Sequence, residues 1–180
     1  SANSGGAILI SGASRLRISN SWFSDNSAVG GAAILSYSPM EIDHSTFTGN
    51  LGTAAGGAIQ SYHELVVAAS TFYSNSGGSG GAILSYSPLV IDNSTFYSNS
   101  ASSTGGAIFT GDDLVIHNST LSHNAAGSLG GAIFGSGVVT TTVSNSIIAH
   151  NSAILGPNCE GTMIVQDYNL IDVATDCTMT

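Results

Sequence analysis

Apolar residues recur along this chain in short, phased bursts, and nothing in it follows the 3.6-residue period of a helix. Gly-Gly-Ala-Ile begins at Gly5, Gly56, Gly80, Gly105 and Gly130, and an Ala-inserted version begins at Gly30. The steps between them are 25, 26, 24, 25 and 25 residues. In phase with this mark, Phe-x-x-Asn pairs Phe23 with Asn26, Phe47 with Asn50, Phe72 with Asn75 and Phe96 with Asn99. Leu121 with Asn124 and Ile148 with Asn151 continue the series with an aliphatic residue. Between the two marks lie Leu16/Ile18, Met40/Ile42, Leu65/Val67, Leu89/Ile91 and Leu114/Ile116, each pair split by one residue. Period-two alternation over such short stretches predicts strands.

A unit of about 25 residues with two or three short strands cannot bury its apolar side alone; stacking copies builds a continuous core. The expectation is an all-β chain, a single-stranded parallel β-helix (solenoid) of six clear coils and a degenerate C-terminal one. It forms one domain over residues 1–180, with repeats over 5–151 and a disulfide-closed coil over 152–180. At the interstrand spacing of about 4.8 Å per coil the rod is roughly 30 Å long. Sequence columns then become ladders: Ile8, Ile34, Ile59, Ile83, Ile108 and Ile133 in one, and Phe23, Phe47, Phe72, Phe96, Leu121 and Ile148 in another. Asn26, Asn50, Asn75, Asn99, Asn124 and Asn151 form a third, expected at a corner because Asn tolerates left-handed dihedrals and its amide can bond the amides above and below. A second column, Asn20, His44, Ala69, Asn93, Asn118 and Asn145, is expected to point inward as well. That would close the Asn93-Ser-Thr and Asn118-Ser-Thr acceptor patterns to glycosylation.

Composition narrows the function. The chain has no Lys, only Arg15 and Arg17, and a net charge of −9, which disfavours nucleic acids and anionic membranes as partners. Its 42% apolar content excludes disorder, and no apolar run reaches the roughly 18 residues of a membrane span. Ser1 to Ile10 lack the basic start of a signal peptide, so the chain is expected to be soluble as given or already processed. Cys159 and Cys177 could close one short loop, which fits an oxidising compartment better than a four-ligand metal site. Such a bridge stabilises by roughly 3 kcal/mol in the loop-entropy model.

Gly-Gly-Ala-Ile alternating with Phe-x-x-Asn resembles the repeat pair of chlamydial polymorphic outer membrane protein passengers, and more broadly secreted bacterial right-handed β-helix proteins. The stretch from Asn145 to Cys177 resembles the end of bacterial β-helix surface proteins of the choice-of-anchor type. The resemblance implies an extracellular, generally non-enzymatic protein of surface display, adhesion or envelope structure. It also implies a right-handed coil, the usual sense of parallel crossovers. The resemblance leaves the mode of attachment open.

Polysaccharide lyases and hydrolases use the same scaffold, so catalysis has to be weighed. Lyase chemistry needs an Arg or Lys near a calcium-bound acidic sugar, and the two arginines sit in the first full coil only. Hydrolysis needs two carboxyl groups about 5–9.5 Å apart in one groove. Asp43 with Asp92, two coils apart, and Asp112 with Asp113 are the candidates. Calcium at Asp112 and Asp113, or a transition metal between His123 and His150, is the cofactor reading to test; the expectation is none.

The outside of the rod is the other candidate. The column Leu9, Leu35, Gln60, Leu84, Phe109 and Phe134 adjoins the Ile ladder, and Val66, Val90 and Val115 adjoin the second strand. Strict alternation sends one apolar column out as an interface; a bulge or corner would instead tuck it into the core. Tyr37, Tyr62, Tyr86, Tyr73 and Tyr97 add aromatic surface suited to sugar or protein contact. The expected function is an extracellular, non-catalytic structural or adhesive module, with self-association into end-to-end fibres, other surface proteins or glycans as partners. The alternative is a carbohydrate-active or glycan-binding β-helix.

Overall fold

The structure, a computed structural model, describes residues 5–12, 14–173 and 177–179. Among them the only regular elements are short parallel strands, stacked in about seven turns of about 25 residues. The first five turns place strands on four faces and the later ones on three. The Ile face holds Ile8–Ile10, Ile34–Ser36, Ile59–Ser61, Ile83–Ser85, Ile108–Thr110 and Ile133–Gly135. The Leu face holds Leu16–Ser19, Met40–Asp43, Leu65–Ala68, Leu89–Asp92, Leu114–His117 and Thr140–Ser144. The Phe face runs from Trp22–Ser24 through Thr46–Thr48, Thr71–Tyr73, Thr95–Tyr97, Thr120–Ser122 and Ile147–Ala149 to Leu170–Ile171. A fourth, narrower face begins at Ser27–Ala28 and ends at Ala125–Ala126. In the last turn Cys159–Val165 serves two faces: Cys159 pairs with Ile133, and Thr162 to Val165 pair with Thr140 to Val143. The Ile and Leu faces are thereby joined into one 14-stranded sheet.

Register is one coil to the next, with like over like. Ile8 pairs with Ile34, Ile34 with Ile59, and so on to Cys159, which takes the place of the next Ile and is buried. Phe23, Phe47, Phe72 and Phe96 stack with ring centroids 4.8, 4.8 and 4.6 Å apart and planes within 6° of parallel. Leu121, Ile148 and Ile171 continue the column. In the first coil Ile8, Ile10, Leu16 and Phe23 are only partly buried, because among the described residues each has a stacked neighbour on one side alone.

The Asn column lies inside and is the polar centre of the fold. Asn50, Asn75, Asn99 and Asn124 are at most 1% exposed. The Asn75 side-chain N–H₂ donates to Asn99 Oδ1 (2.9 Å) and to the Phe47 carbonyl (2.9 Å), while Asn75 Oδ1 accepts from the Asn50 backbone N–H (3.1 Å) and side-chain N–H₂ (2.9 Å). Every hydrogen-bonding position of the amide is filled, which is the condition for burying it. All the amides point the same way, and the series passes from Asn151 to Asn158 and ends on the Asp172 carboxylate at 2.7 Å.

The left-handed corner residues are not these asparagines but the residues just before them: Asp25, Gly49, Ser74, Ser98, His123 and His150, with φ between 52 and 63°. The ladder asparagines turn their side chains inward while the preceding residue turns the chain. The column Asn20, His44, Ala69, Asn93, Asn118 and Asn145 supplies the other left-handed corner. Contrary to the inward expectation, Asn93 and Asn118 are exposed. The inward residue there is the next one, forming a buried ladder of Ser45, Ser70, Ser94, Ser119 and Ser146. Each serine hydroxyl accepts the backbone N–H of the equivalent serine one coil earlier (3.0–3.2 Å) and donates to the carbonyl two residues back. The acceptor asparagines of both sequons therefore lie on the surface, and the buried serine is only the middle residue of each.

The Gly pairs make the tight entry to the Ile face. Gly105 has φ 64°, and a Cβ on Gly106 would overlap the Gly131 carbonyl oxygen of the next coil.

Asn99→Ala is expected to cost about 3–5 kcal/mol, because it strands the Asn75 N–H groups and the Phe72 carbonyl in the core. Asn118→Ala at the exposed corner costs under about 1 kcal/mol; denaturant midpoints of the two variants check this.

The Asp172 carboxyl is held below its ordinary value near 3.8, first by the Asn158 amide and then by the His150 backbone N–H. A depressed carboxyl stabilises above its unfolded value and loses that contribution as pH falls through the folded one. Thermal stability is therefore expected to be flat from pH 7 to 5 and to fall below about pH 4, with a shallower fall in Asp172→Asn.

Cys159 and Cys177 are bridged, with Cα atoms 5.5 Å apart and 18 residues of separation. Reduction is expected to loosen the last coil selectively, read as faster hydrogen exchange over 159–179 with the Phe ladder unchanged.

Candidate functional site

Alternation along the Ile-face strands sends Ile inward and its successor outward, so Leu9, Leu35, Gln60, Leu84, Phe109 and Phe134 line the outside. None of them joins the core cluster. They nevertheless build a thin outer layer: Leu35, Gln60 and Leu84 are 6, 7 and 3% exposed, Phe109 and Phe134 are half-buried, and Leu9 is 52% exposed. Gln60 Nε2 donates to the Tyr62 hydroxyl at 2.8 Å. Tyr37, Tyr62 and Tyr86, just past the strand ends, stack at 4.8 and 5.0 Å. Phe109 and Phe134 continue the aromatic run at 6.3 and 5.3 Å. Burial, then the neighbouring Tyr86 and Tyr37, push the Tyr62 phenol up. Stacking covers both ring faces of Tyr62 and one face each of Tyr37 and Tyr86, so this strip presents mainly ring edges and hydroxyls. Val66, Val90 and Val115 point outward from the Leu face and are half-buried.

A second aromatic row marks the Phe face. Tyr73 and Tyr97 stack at 5.8 Å, and His123 and His150 extend the row at 5.0 and 5.3 Å. His150 Nδ1 lies 3.5 Å from Asp172, whose other contacts are already filled by Asn158 and the His150 N–H. Among the described residues no group of three or more His, Cys, Asp or Glu is arranged to hold a metal ion.

The acidic candidates are engaged elsewhere. Asp43 contacts His44 Nδ1 (2.8 Å) and Arg17 (3.5 Å), and the hydrogen bond from His44, followed by its charge and that of Arg17, holds its carboxyl below the usual range. A general acid requires the opposite shift. Asp92 accepts from the Asn118 and Asn93 amides at 2.8 and 3.4 Å. The Ala68 coil lies between the two aspartates. Asp112 caps the Asp113 N–H (2.8 Å) and Asp113 caps the Thr140 N–H (3.0 Å). Arg15 bridges Glu41 and Glu64, the latter at 3.0 Å.

One recess is not explained by the repeat. It is open to solvent, encloses about 660 Å³, and is lined by Ser144, Asn145, Gln166, Asp167 and Tyr168 at the corner between the Leu and Phe faces. From the last inward Leu-face residue to the first outward Phe-face residue the earlier coils take four steps, as from Val143 to Ile147; the last takes five, from Val165 to Leu170. The extra residue lies at 166–167, because Tyr168, with φ 62° and 87% exposure, holds the left-handed place of Asn145 directly before the inward residue Asn169. A bulky side chain there costs on the order of 1–2 kcal/mol. The bulge moves the chain outward, and the longer Asn169 replaces the ladder serine: its Oδ1 accepts the Ser146 N–H (2.9 Å), and its N–H₂ donates to the Val143 (3.0 Å) and Gln166 (2.7 Å) carbonyls. The five-residue step is visible in the sequence once the strands are in register; the weak repeat of the last coil hid it.

Comparison with known proteins gives one positive result. No curated protein and no solved structure matches the chain. A family model described as the right handed beta helix region matches residues 1–176. With that match over nearly the whole length, and parallel coils of the same kind observed throughout, the chain belongs to the right-handed β-helix family.

Proposed function

We propose that this chain is a non-catalytic, extracellular β-helix module with a structural or adhesive role. The observation that carries the reading is the outer layer on the Ile face. Leu9, Tyr37, Tyr62, Tyr86, Phe109 and Phe134 form an apolar and aromatic strip that crosses six coils yet contributes nothing to the core. Strips of this kind are held exposed at a cost in solubility and mark contact surfaces. Aromatic edges with hydroxyls suit a protein partner, a further copy included, where tyrosines supply large contact area at low entropic cost. The Cys159–Cys177 bridge supports an oxidising compartment. The carboxylates and arginines that polysaccharide chemistry would use are committed to ladders, caps and ion pairs.

The test combines location and contact. On intact source cells the module is expected to be removed by external protease and recognised by antibody without permeabilisation. In the triple variant Tyr37→Ser, Tyr62→Ser, Tyr86→Ser, binding to cells or to itself is expected to drop by about tenfold or more with the circular dichroism unchanged. Binding unaffected by the triple variant, or release of new reducing or unsaturated sugar ends from a polysaccharide panel, contradicts the proposal.

A further inference from the structure

The corner at Tyr168 departs from the repeat by one inserted residue and borders an open recess. We propose that it is a subsite for a single neutral pyranose ring. Unlike Tyr37, Tyr62 and Tyr86, whose ring faces cover one another, Tyr168 has no ring stacked on it among the described residues and stands 87% exposed. A pyranose offers an apolar C–H face to such a ring and directs its hydroxyls sideways, where planar amides and carboxylates accept and donate in pairs. Those groups are beside the tyrosine. The Gln166 amide, the Asp167 carboxylate and Asn145 Oδ1 line or border the recess and hold no hydrogen bond among the described residues.

Preorganisation comes from behind the bulge. Asn169 ties the corner to Val143, Gln166 and Ser146 through three hydrogen bonds, so Tyr168 is carried on a backbone fixed before any ligand arrives. Charge selects the class of sugar. Asp167 borders the recess, the chain carries −9, and its only arginines are in the first coils, paired with Glu41, Glu64 and Asp43. A uronate carboxylate would meet a like charge and no cation. The inference stands on this corner alone, so its failure leaves the Ile-face proposal intact, and the reverse.

The experiment is a titration of ¹⁵N-labelled protein with methyl glucopyranoside, methyl galactopyranoside, N-acetylglucosamine, glucuronate and choline, followed by amide shifts. The expected result is millimolar binding of at least one neutral sugar, with shifts confined to Ser144, Asn145 and residues 166–170, and about tenfold or more weaker binding of glucuronate. Tyr168→Ala, and deletion of Tyr168 to restore the four-residue step, are expected to weaken the neutral sugar by about tenfold or more, an energy of about 1.4 kcal/mol. Tyr168→Phe, which keeps the ring, stays within about threefold. Should either of the first two variants disturb the last coil, Asp167→Asn decides: it is expected to narrow the gap between glucuronate and the neutral sugar. Absence of shifts with every neutral sugar, binding of glucuronate as tight as theirs, choline binding in their place, or an unaltered affinity in a folded Tyr168→Ala overturns the proposal.

Discussion

The fold depends on one constraint: a buried row of asparagine amides, one per coil, in which every donor and acceptor must find its partner in the adjacent coil. An unsatisfied buried amide group costs about 1–3 kcal/mol, so a register slip between coils would strand several at once. Apolar columns tolerate sliding; amides do not. The Asn ladder therefore sets the register that the Ile and Phe stacks then exploit, and it explains why like residues lie over like. The serine ladder repeats the device at the neighbouring corner with a shorter side chain.

Both ladders end in the last coil on acceptors that the repeat does not supply. Asn158 and Asp172 terminate the amide series, and Asn169 terminates the serine series. The bridge at Cys159, seated in the Ile column, fastens the same coil. This coil is also where the chain leaves its own rule, with one additional residue ahead of the corner residue Tyr168. Departure from a repeat is informative because the repeat has otherwise assigned nearly every polar side chain a structural task.

Much of this was legible in the chain itself. The Gly-Gly-Ala-Ile and Phe-x-x-Asn spacing led to parallel coils of about 25 residues, and the Ile, Phe and Asn columns pair in the structure as they align in the sequence. Corner geometry was less legible: spacing alone cannot say which of two adjacent polar residues turns inward. At one corner the Ser after Asn93 or Asn118 points in, and at the other the residue before the ladder Asn takes the left-handed backbone. The outer column was left between two alternatives, and the result combines them, since Leu35 and Leu84 lie outside the core yet are covered by their own neighbours. The Tyr168 corner was missed because its signal is one residue of extra spacing in the coil whose repeat is weakest.

The most direct measurement of the central claim is hydrogen exchange at the asparagine side-chain amides. If the ladder holds the coils in register, the side-chain N–H₂ groups of Asn50, Asn75, Asn99 and Asn124 exchange only with global unfolding, while those of the exposed Asn93 and Asn118 exchange at rates near those of free amides. Interior amides exchanging as fast as the exposed ones would contradict the account.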